Sequence, residues 1–280
     1  MSHAATVVTI VDDDTENVTS VSTVRDIAER NGIKVTFAAI ARNVERDAAL
    51  ATLLLDCQSA GHEIASHSYS HSPNVWSRRQ RSKSQLAKME QEIVRAHTVL
   101  TNLGFRVSSF AYPYGNFKGR EYRSAILSMV AEHYPVAFNS RGGDNKPDGT
   151  HFQYVGRFPM RSHDSFTMVE RFLRSTARED NSWLVLMTHS GKNNFAAEEL
   201  EAAIKICKSS GCVFATASEA AQMLRARGWR SISADATGEN SLFDELYDFI
   251  KFHLPVVAIA LLAFVLLIAL IVGRLNRPGP

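Results

Sequence analysis

The chain has 280 residues, of which 45% are hydrophobic, 9% aromatic and 21% charged, values that exclude disorder, collagen-like repeats and coiled coil. Thirty-one basic residues against twenty-nine acidic ones give a formal charge of +2 with no basic stripe, which leaves no nucleic-acid partner to expect. The three cysteines, Cys57, Cys207 and Cys212, have no metal spacing and cannot all pair, so a disulfide scaffold is excluded and a reducing compartment is favoured.

Along the chain the pattern alternates strand and helix. Thr6–Val11 is apolar on both faces, as a buried parallel strand is, and Val18–Arg30 follows with helical spacing to a stop at Asn31-Gly32. Val35–Ile40 is the second strand, Asp47–Ala60 a helix, and Glu63–Ser66 a short strand running into His67. A long helix, Ser84–Leu103, precedes a strand at Val107–Ala111, a helix at Arg120–Glu132 and a strand at Val136–Phe138. Arg141–Gly149 has the composition of a surface turn, and Val155–Met160 carries a further short strand ended by Arg157. The helix Phe166–Ala177, the strand Trp183–Thr188, the helix Ala197–Lys208, the strand Val213–Ala215 and the helix Ser218–Arg227 complete the series. Seven or eight such units predict one barrel-like α/β domain over residues 1–235.

The C-terminus changes class. Ser241–Phe252 reads as a short amphipathic helix within a juxtamembrane segment, 236–253. Leu254–Val272 then runs 19 residues without a charge, and at about 1.5 Å per residue it nearly spans a ~30 Å hydrocarbon core. A transmembrane helix is therefore expected over 254–273, with a short tail, 274–280, carrying Arg274 and Arg277. The first residues have neither a basic nor an apolar signal region, so the expectation is a single-pass membrane protein with its domain on the cytoplasmic side. The two tail arginines argue for the opposite orientation, with the domain outside.

Chemistry-bearing residues fall at the predicted strand ends, where sheets of this class place their sites. Asp12-Asp13-Asp14 ends the first strand, and three adjacent buried carboxylates call for a cation or a proton. His67-Ser68-Tyr69-Ser70-His71 follows the third strand, with two histidines spaced to share one face of a helical turn and one metal ion. Tyr112-Pro113-Tyr114-Gly115 is a tight turn able to present an N–H to an oxyanion. Arg157 ends its short strand, and His189 follows Trp183–Thr188, where a histidine can donate a proton. His62, before the third strand, reads as structural or exposed.

In that order these residues resemble the polysaccharide deacetylase family, the NodB-homology carbohydrate esterases of family four. Ile10-Val11-Asp12-Asp13-Asp14 is similar to the family's Thr-Phe-Asp-Asp-Gly, and His67–His71 matches its His-Ser/Thr-x-x-His. Ala111-Tyr112-Pro113-Tyr114-Gly115 matches Arg-x-Pro-Tyr/Phe-Gly without the arginine, Val35-Thr36-Phe37 looks like its second-strand signature, and Arg157 and Leu186–His189 complete the series.

The resemblance implies a distorted (β/α)7 barrel and metal-dependent removal of N-acetyl groups from sugars. Carried over residue by residue, it makes Asp12 the general base, oriented by Arg157. Asp13, His67 and His71 become ligands of a divalent ion, zinc before cobalt, nickel or manganese. Tyr114 becomes the oxyanion donor and His189 the acid for the leaving amine. Asp14 in place of the glycine leaves a second register open, with Asp13 and Asp14 as base and ligand. Beside a barrel with an anchor, the expected partner is an N-acetylated glycan or a lipid-linked amino sugar. A deformylase or other amidase, and a catalytically silent glycan-binding barrel, are the alternatives.

Overall fold

The computed structural model describes residues 4–76, 82–115, 122–140, 142–160, 170–171, 173–175, 181–193 and 195–232. These all belong to one compact unit, Met1–Thr237. The segments expected at 236–253, 254–273 and 274–280, and most of the helix expected at Phe166–Ala177, lie outside the described residues. Among the described residues no helix is long and apolar enough to cross a membrane.

The described strands form one nine-stranded curled sheet: β1 (Val7–Asp12), β2 (Thr36–Ala39), β3 (Glu63–Ser66), β4 (Ser109–Ala111), β5 (Val136–Phe138), β6 (Asp144–Asn145), β7 (Phe158–Pro159), β8 (Trp183–Thr188) and β9 (Val213–Phe214). Its order is β5-β4-β3-β2-β1-β8-β6, with β7 also on β8 and β9 also on β1. All pairings are parallel except β6 on β8. The stretch from Phe152 to Met160 touches both ends of the curl. Ala137 donates to Phe152, Val155 to Ala137, and Met160 to Met187 on β8. This is the architecture expected of a distorted (β/α) barrel.

Because side chains alternate along a strand, β1 feeds two cores. Val8 and Ile10 pack outward with the helices, while Val7 and Val11 point inward with Val136, Phe138, Trp183 and Val185. Eight described helices flank the sheet: α1 (Val18–Arg30), α2 (Ala41–Arg46), α3 (Ala48–Ser59), α4 (Pro73–Trp76), α5 (Lys83–Asn102), α6 (Arg123–Ala131), α7 (Ala197–Ser209) and α8 (Ala217–Ala226). Asn17 and Asp47 cap α1 and α3 by accepting from Ser20 and Leu50 N–H, each at 3.0 Å. The buried Glu63 binds the Ser109 hydroxyl at 2.6 Å and the Ser218 N–H at 2.7 Å, tying β3 to β4 and to the start of α8.

One expectation needs correction. Within the supposed surface turn Arg141–Gly149, Asp144–Asn145 is a strand antiparallel to β8. Gly143, at φ +106°, lies so close to Phe158 that a Cβ would come within 2.4 Å of its backbone nitrogen. Asn145 then donates to the Gly156 and Trp183 carbonyls, each at 3.0 Å. Turn-like composition here serves close backbone approach at a sheet edge.

His62 is structural and buried, its Nδ1 accepting from the Val35 N–H at 3.2 Å. Burial lowers its pKa to about 4, with Lys34 and Arg25 acting in the same direction. The unfolded chain takes up that proton near pH 6.5 and the folded chain does not, so stability should fall as pH drops from 6.5 towards 4, by up to about 3 kcal/mol. Urea unfolding across this window is expected to show a shallower pH slope in His62→Gln than in the wild type.

Candidate functional site

The carboxyl ends of β1, β3, β4 and β8 converge on a cavity of about 460 Å³. Asp13, His67, His71, Tyr114, Arg157 and His189 all line it, with Ile40 and Met187 as apolar wall. Asp12 is not among its lining residues and is fully buried. In a groove of about 640 Å³ elsewhere, between Tyr69, Val75 and α5, two of the charged groups are already engaged: Arg95 with Tyr69 and Glu92 with Ser70.

The three aspartates separate as the chain leaves β1. Asp12 is still in the ladder, opposite Thr188 of β8. Its Oδ1 accepts from the Thr188 hydroxyl at 2.7 Å and the Ser190 N–H at 2.9 Å, and its Oδ2 from the Ser190 hydroxyl at 2.5 Å. Burial raises its pKa to about 6 against the pull of these donors.

Asp13 turns to the other wall and accepts from Arg157 Nη1 at 2.5 Å. Its Oδ2 lies 3.9 Å from His189 Nε2 and 4.0 Å from His67 Nε2, wider than a direct hydrogen bond and suited to a small molecule between them. Burial opposes its ionisation, but the Arg157 guanidinium, then His67 and His189, outweigh it and lower its pKa. Arg157 is itself fully buried and is fixed by donating Nε–H to the Asn139 carbonyl at 2.7 Å.

Asp14 meets the histidines. Its Oδ1 is 3.4 Å from His67 Nε2 and 3.5 Å from His71 Nε2. It is buried and accepts no hydrogen bond from any described group. Donor atoms of Asp14, His67 and His71 all lie within 4.8 Å of one another. A carbonyl oxygen only accepts, so the 2.7 Å contact between His67 Nδ1 and Ala111 O places the proton on Nδ1 and turns the Nε2 lone pair inward. Burial opposes charge on both Asp14 and His67. Their mutual attraction, with Asp13 and His71, outweighs it, lowering Asp14 and raising His67. His71 falls to about 4 through burial and the neighbouring His67. Burial also lowers His189, with Asp13 and Asp14 offsetting part of the effect.

This set fits a divalent cation: one orphaned carboxylate oxygen and two imidazole nitrogens converge, leaving the cavity side open for further ligands. The second of the two registers is thus the one the geometry favours, with Asp14 at the histidines and Asp13 at Arg157. Asp13 was the expected ligand and Asp12 the expected partner of Arg157. The one-residue difference has a geometric cause, because Asp12 shares the outward face of β1 with Val8 and Ile10, whereas Asp13, one residue on, turns into the cavity. Asp14 (φ 72°) and Thr15 (φ 38°) then turn the chain through the left-handed region, so Thr15 stands where the family pattern has glycine.

The histidine pair also differs from expectation in its backbone. His67 and His71 are joined by a loop with Ser68 at φ 64° and His71 at φ 53°, and no helical turn. Its anchors escaped sequence reasoning, since they come from elements far away in the chain. Glu92 of α5 accepts from both the Ser70 N–H and its hydroxyl, at 2.7 and 2.6 Å. Glu45 accepts from the Tyr69 hydroxyl at 2.9 Å, while the Arg95 guanidinium lies 3.6 Å over the Tyr69 ring. Tyr114 stacks on the other side of His71, with ring centroids 4.6 Å apart, and has φ 59°. Gly115 follows at φ +68°, where a Cβ would strike Ser140 Oγ at 1.8 Å. Of the six described non-glycine residues at positive φ, five are in these loops, the clustering of strain that marks functional sites. Lys192, three residues beyond His189 on the same loop, was also missed. Its Nζ lies 3.1 Å from Asp14 Oδ2 and also pairs with Glu16.

The sequence pattern described as polysaccharide deacetylase matches residues 2–129. Among solved structures, the chain is similar to the Xyl-CE4 domain of a multidomain xylanase from the hindgut metagenome of Trinervitermes trinervoides, with 20% identity and a TM-score of 0.55, covering 78% of this chain and 91% of that one. It is similar to a family 4 acetyl xylan esterase from Clostridium thermocellum in complex with a cobalt ion, with 16% identity, a TM-score of 0.54 and coverage of 78% and 91%. A mutant family 4 pseudoenzyme from Bacillus anthracis with restored enzymatic activity matches at 15% identity and a TM-score of 0.53, covering 78% and 68%. At these identities the likeness to each structure is one of fold. No curated protein sequence matches the chain.

Titration of the metal-free chain with zinc should find one site. Asp14→Ala and His67→Ala should each weaken it at least about 100-fold, and Asp12→Asn less than about tenfold. Affinity should decline from above pH 6.5 downward, because His67, with its raised pKa, must release a proton to bind. Weakening by Asp13→Asn but not by Asp14→Asn would return the ligand role to Asp13.

Proposed function

We propose that this chain, which matches the polysaccharide deacetylase pattern over residues 2–129 and shares the fold of family 4 structures, belongs to that (NodB-homology) family and is a metal-dependent hydrolase that removes N-acetyl groups from the amino sugars of a glycan. The observation that carries the reading is the convergence of Asp14, His67 and His71 beside an Asp13–Arg157 pair and His189 in one cavity. Amide hydrolysis needs a water made nucleophilic at neutral pH, a clamp for the developing oxyanion and an acid for a poor leaving group. The cavity offers a candidate for each.

Asp14, His67 and His71 would hold a divalent ion, which would supply a Lewis acid for the acyl group and a lowered pKa for water. Asp13 is the general base: Arg157 keeps it ionised, and its Oδ2 faces the open cavity. The backbone N–H of Tyr114 donates to the developing oxyanion, and the left-handed turn through Tyr114 and Gly115 aims it there. His189, on the far side of Asp13, gives its proton to the leaving amine nitrogen. Ile40 and Met187 close the wall behind the acetyl methyl and exclude water.

A second reading, a silent glycan-binding barrel, is favoured by one contact. Lys192 Nζ sits 3.1 Å from Asp14 Oδ2, so a fixed cation already compensates a ligand carboxylate. Acetate release from N-acetylglucosamine oligomers distinguishes the two. The wild type is expected to release acetate, with Asp13→Asn and His189→Ala each reducing the rate about 10²–10⁴-fold while retaining metal. Metal binding without release would move the substrate class, and absence of both would overturn the hydrolase reading.

The reading extends to a membrane, through Leu254–Val272 as an anchor, with a lipid-linked N-acetyl sugar as substrate for a domain on the cytoplasmic side; a surface polysaccharide belongs to the opposite orientation, with the domain outside. Its support is the apolar run itself. The full chain is expected in the membrane fraction after carbonate washing, and a chain ending at residue 240 in the supernatant. Recovery of both in the supernatant would remove the anchor.

A further inference from the structure

We infer that Asp12 is a positioning residue for His189, a role that rests on the deacetylase reading above. The carboxylate is fully buried at the last residue of β1, and its three donors come from Thr188 and Ser190, the two residues that flank His189. One side chain thus grips the chain immediately before and immediately after the proposed acid.

The β1–β8 ladder does not need this grip. It pairs Val7 through Asp12 with Trp183 through Thr188, and Asp13 N–H donates to the Thr188 carbonyl at 2.9 Å, so β8 is held up to Thr188 by backbone bonds alone. Beyond Thr188 the chain leaves the ladder and turns, with Lys192 N–H donating to the His189 carbonyl at 3.0 Å. The His189 side chain is 34% exposed, and its 3.9 Å approach to Asp13 is too long to set the ring's direction. What fixes the backbone at His189 is the Ser190 N–H and hydroxyl on Asp12. An apolar or hydroxyl side chain would fill the end of a buried strand at lower desolvation cost than a third carboxylate beside two others. Its presence is accounted for by the geometry it imposes on the loop after the ladder, where a small misplacement of a proton donor costs a large factor in rate.

The inference separates two reactions at the same site. Cleaving an N-acetyl amide needs protonation of the leaving nitrogen, whereas 4-nitrophenyl acetate expels 4-nitrophenolate, a stable anion that needs no proton to leave. In the full-length, zinc-loaded protein, Asp12→Ala is expected to lower kcat for N-acetylglucosamine oligomers about 100-fold while changing 4-nitrophenyl acetate hydrolysis less than about threefold. Asp12→Asn, which keeps one acceptor oxygen, and Ser190→Ala, which removes one donor, should fall between, and they carry the test if Asp12→Ala does not fold. Metal content should match the wild type throughout. Parallel losses on both substrates would show a merely structural residue and overturn the inference alone. A wild type that turns over neither substrate would overturn the deacetylase reading, and the inference with it.

Discussion

Three consecutive carboxylates at the end of a buried strand are the constraint around which the rest of this site is arranged. Each of the three is at most 6% exposed, and together they would repel one another strongly in so dry a setting. The fold separates them by giving each a different kind of partner. Asp12 has neutral hydroxyl and amide donors, Asp13 a buried guanidinium, and Asp14 two imidazoles and an ammonium. These partners come from both sides of β1: His67 and His71 follow β3, Arg157 immediately precedes β7, and Thr188, Ser190 and Lys192 belong to β8 or follow it. A central strand with neighbours on both sides is what allows such a division.

The separation depends on the backbone as much as on charge. After Asp12 the chain must leave the ladder at once, which it does through positive φ at Asp14 and Thr15. The facing loops pay a similar conformational cost at Ser68, His71 and Tyr114, and each is held by side chains from other elements of the chain. Glu92 and Glu45 hold the histidine loop, and Ser140 packs where only Gly115 leaves room. Strain of this kind persists where the surroundings over-determine it, and it leaves the donor atoms arranged before any ligand arrives.

Much of this was legible in the sequence. Apolar runs and helical spacing locate β1, β3, β5 and β8 within a residue, because buried parallel strands and amphipathic helices follow strong periodicities. The rule that sites lie beyond strand ends brings Asp13, His67, His71, Tyr114 and His189 to one cavity, whereas Arg157, expected to end its short strand, reaches the same cavity from the residue before β7. What stayed hidden was where β1 stops. One residue of ladder decides which aspartate faces the cavity, and three identical side chains in a row carry no internal mark of that boundary. The β6 strand was hidden for a different reason: glycine and asparagine read as turn formers, and only the packed structure shows Gly143 allowing contact with Phe158. Glu92, Glu45 and Ser190 lie in unremarkable contexts, and their roles arise from tertiary contacts alone.

The one-residue shift also changes the meaning of the chain's departures from the family pattern. In the proposed register, with Asp13 as base and Asp14 as ligand, Asp14 is no longer an intrusion at a glycine position, and the added residue is Asp12, which does not line the cavity. The missing arginine at Ala111 is matched by Arg157, which reaches Asp13 from the opposite wall, while the Ala111 carbonyl fixes the tautomer of His67. A fully buried guanidinium is costly unless its charge is used, and here it is spent on keeping one carboxylate ionised beside two histidines. A barrel that only bound sugar would gain nothing from that arrangement, since hydroxyl recognition needs no ionised, arginine-backed base facing a candidate acid at 3.9 Å. The Asp13–Arg157 pair beside His189 is the feature of this charge network that supports the proposed hydrolase over the silent barrel.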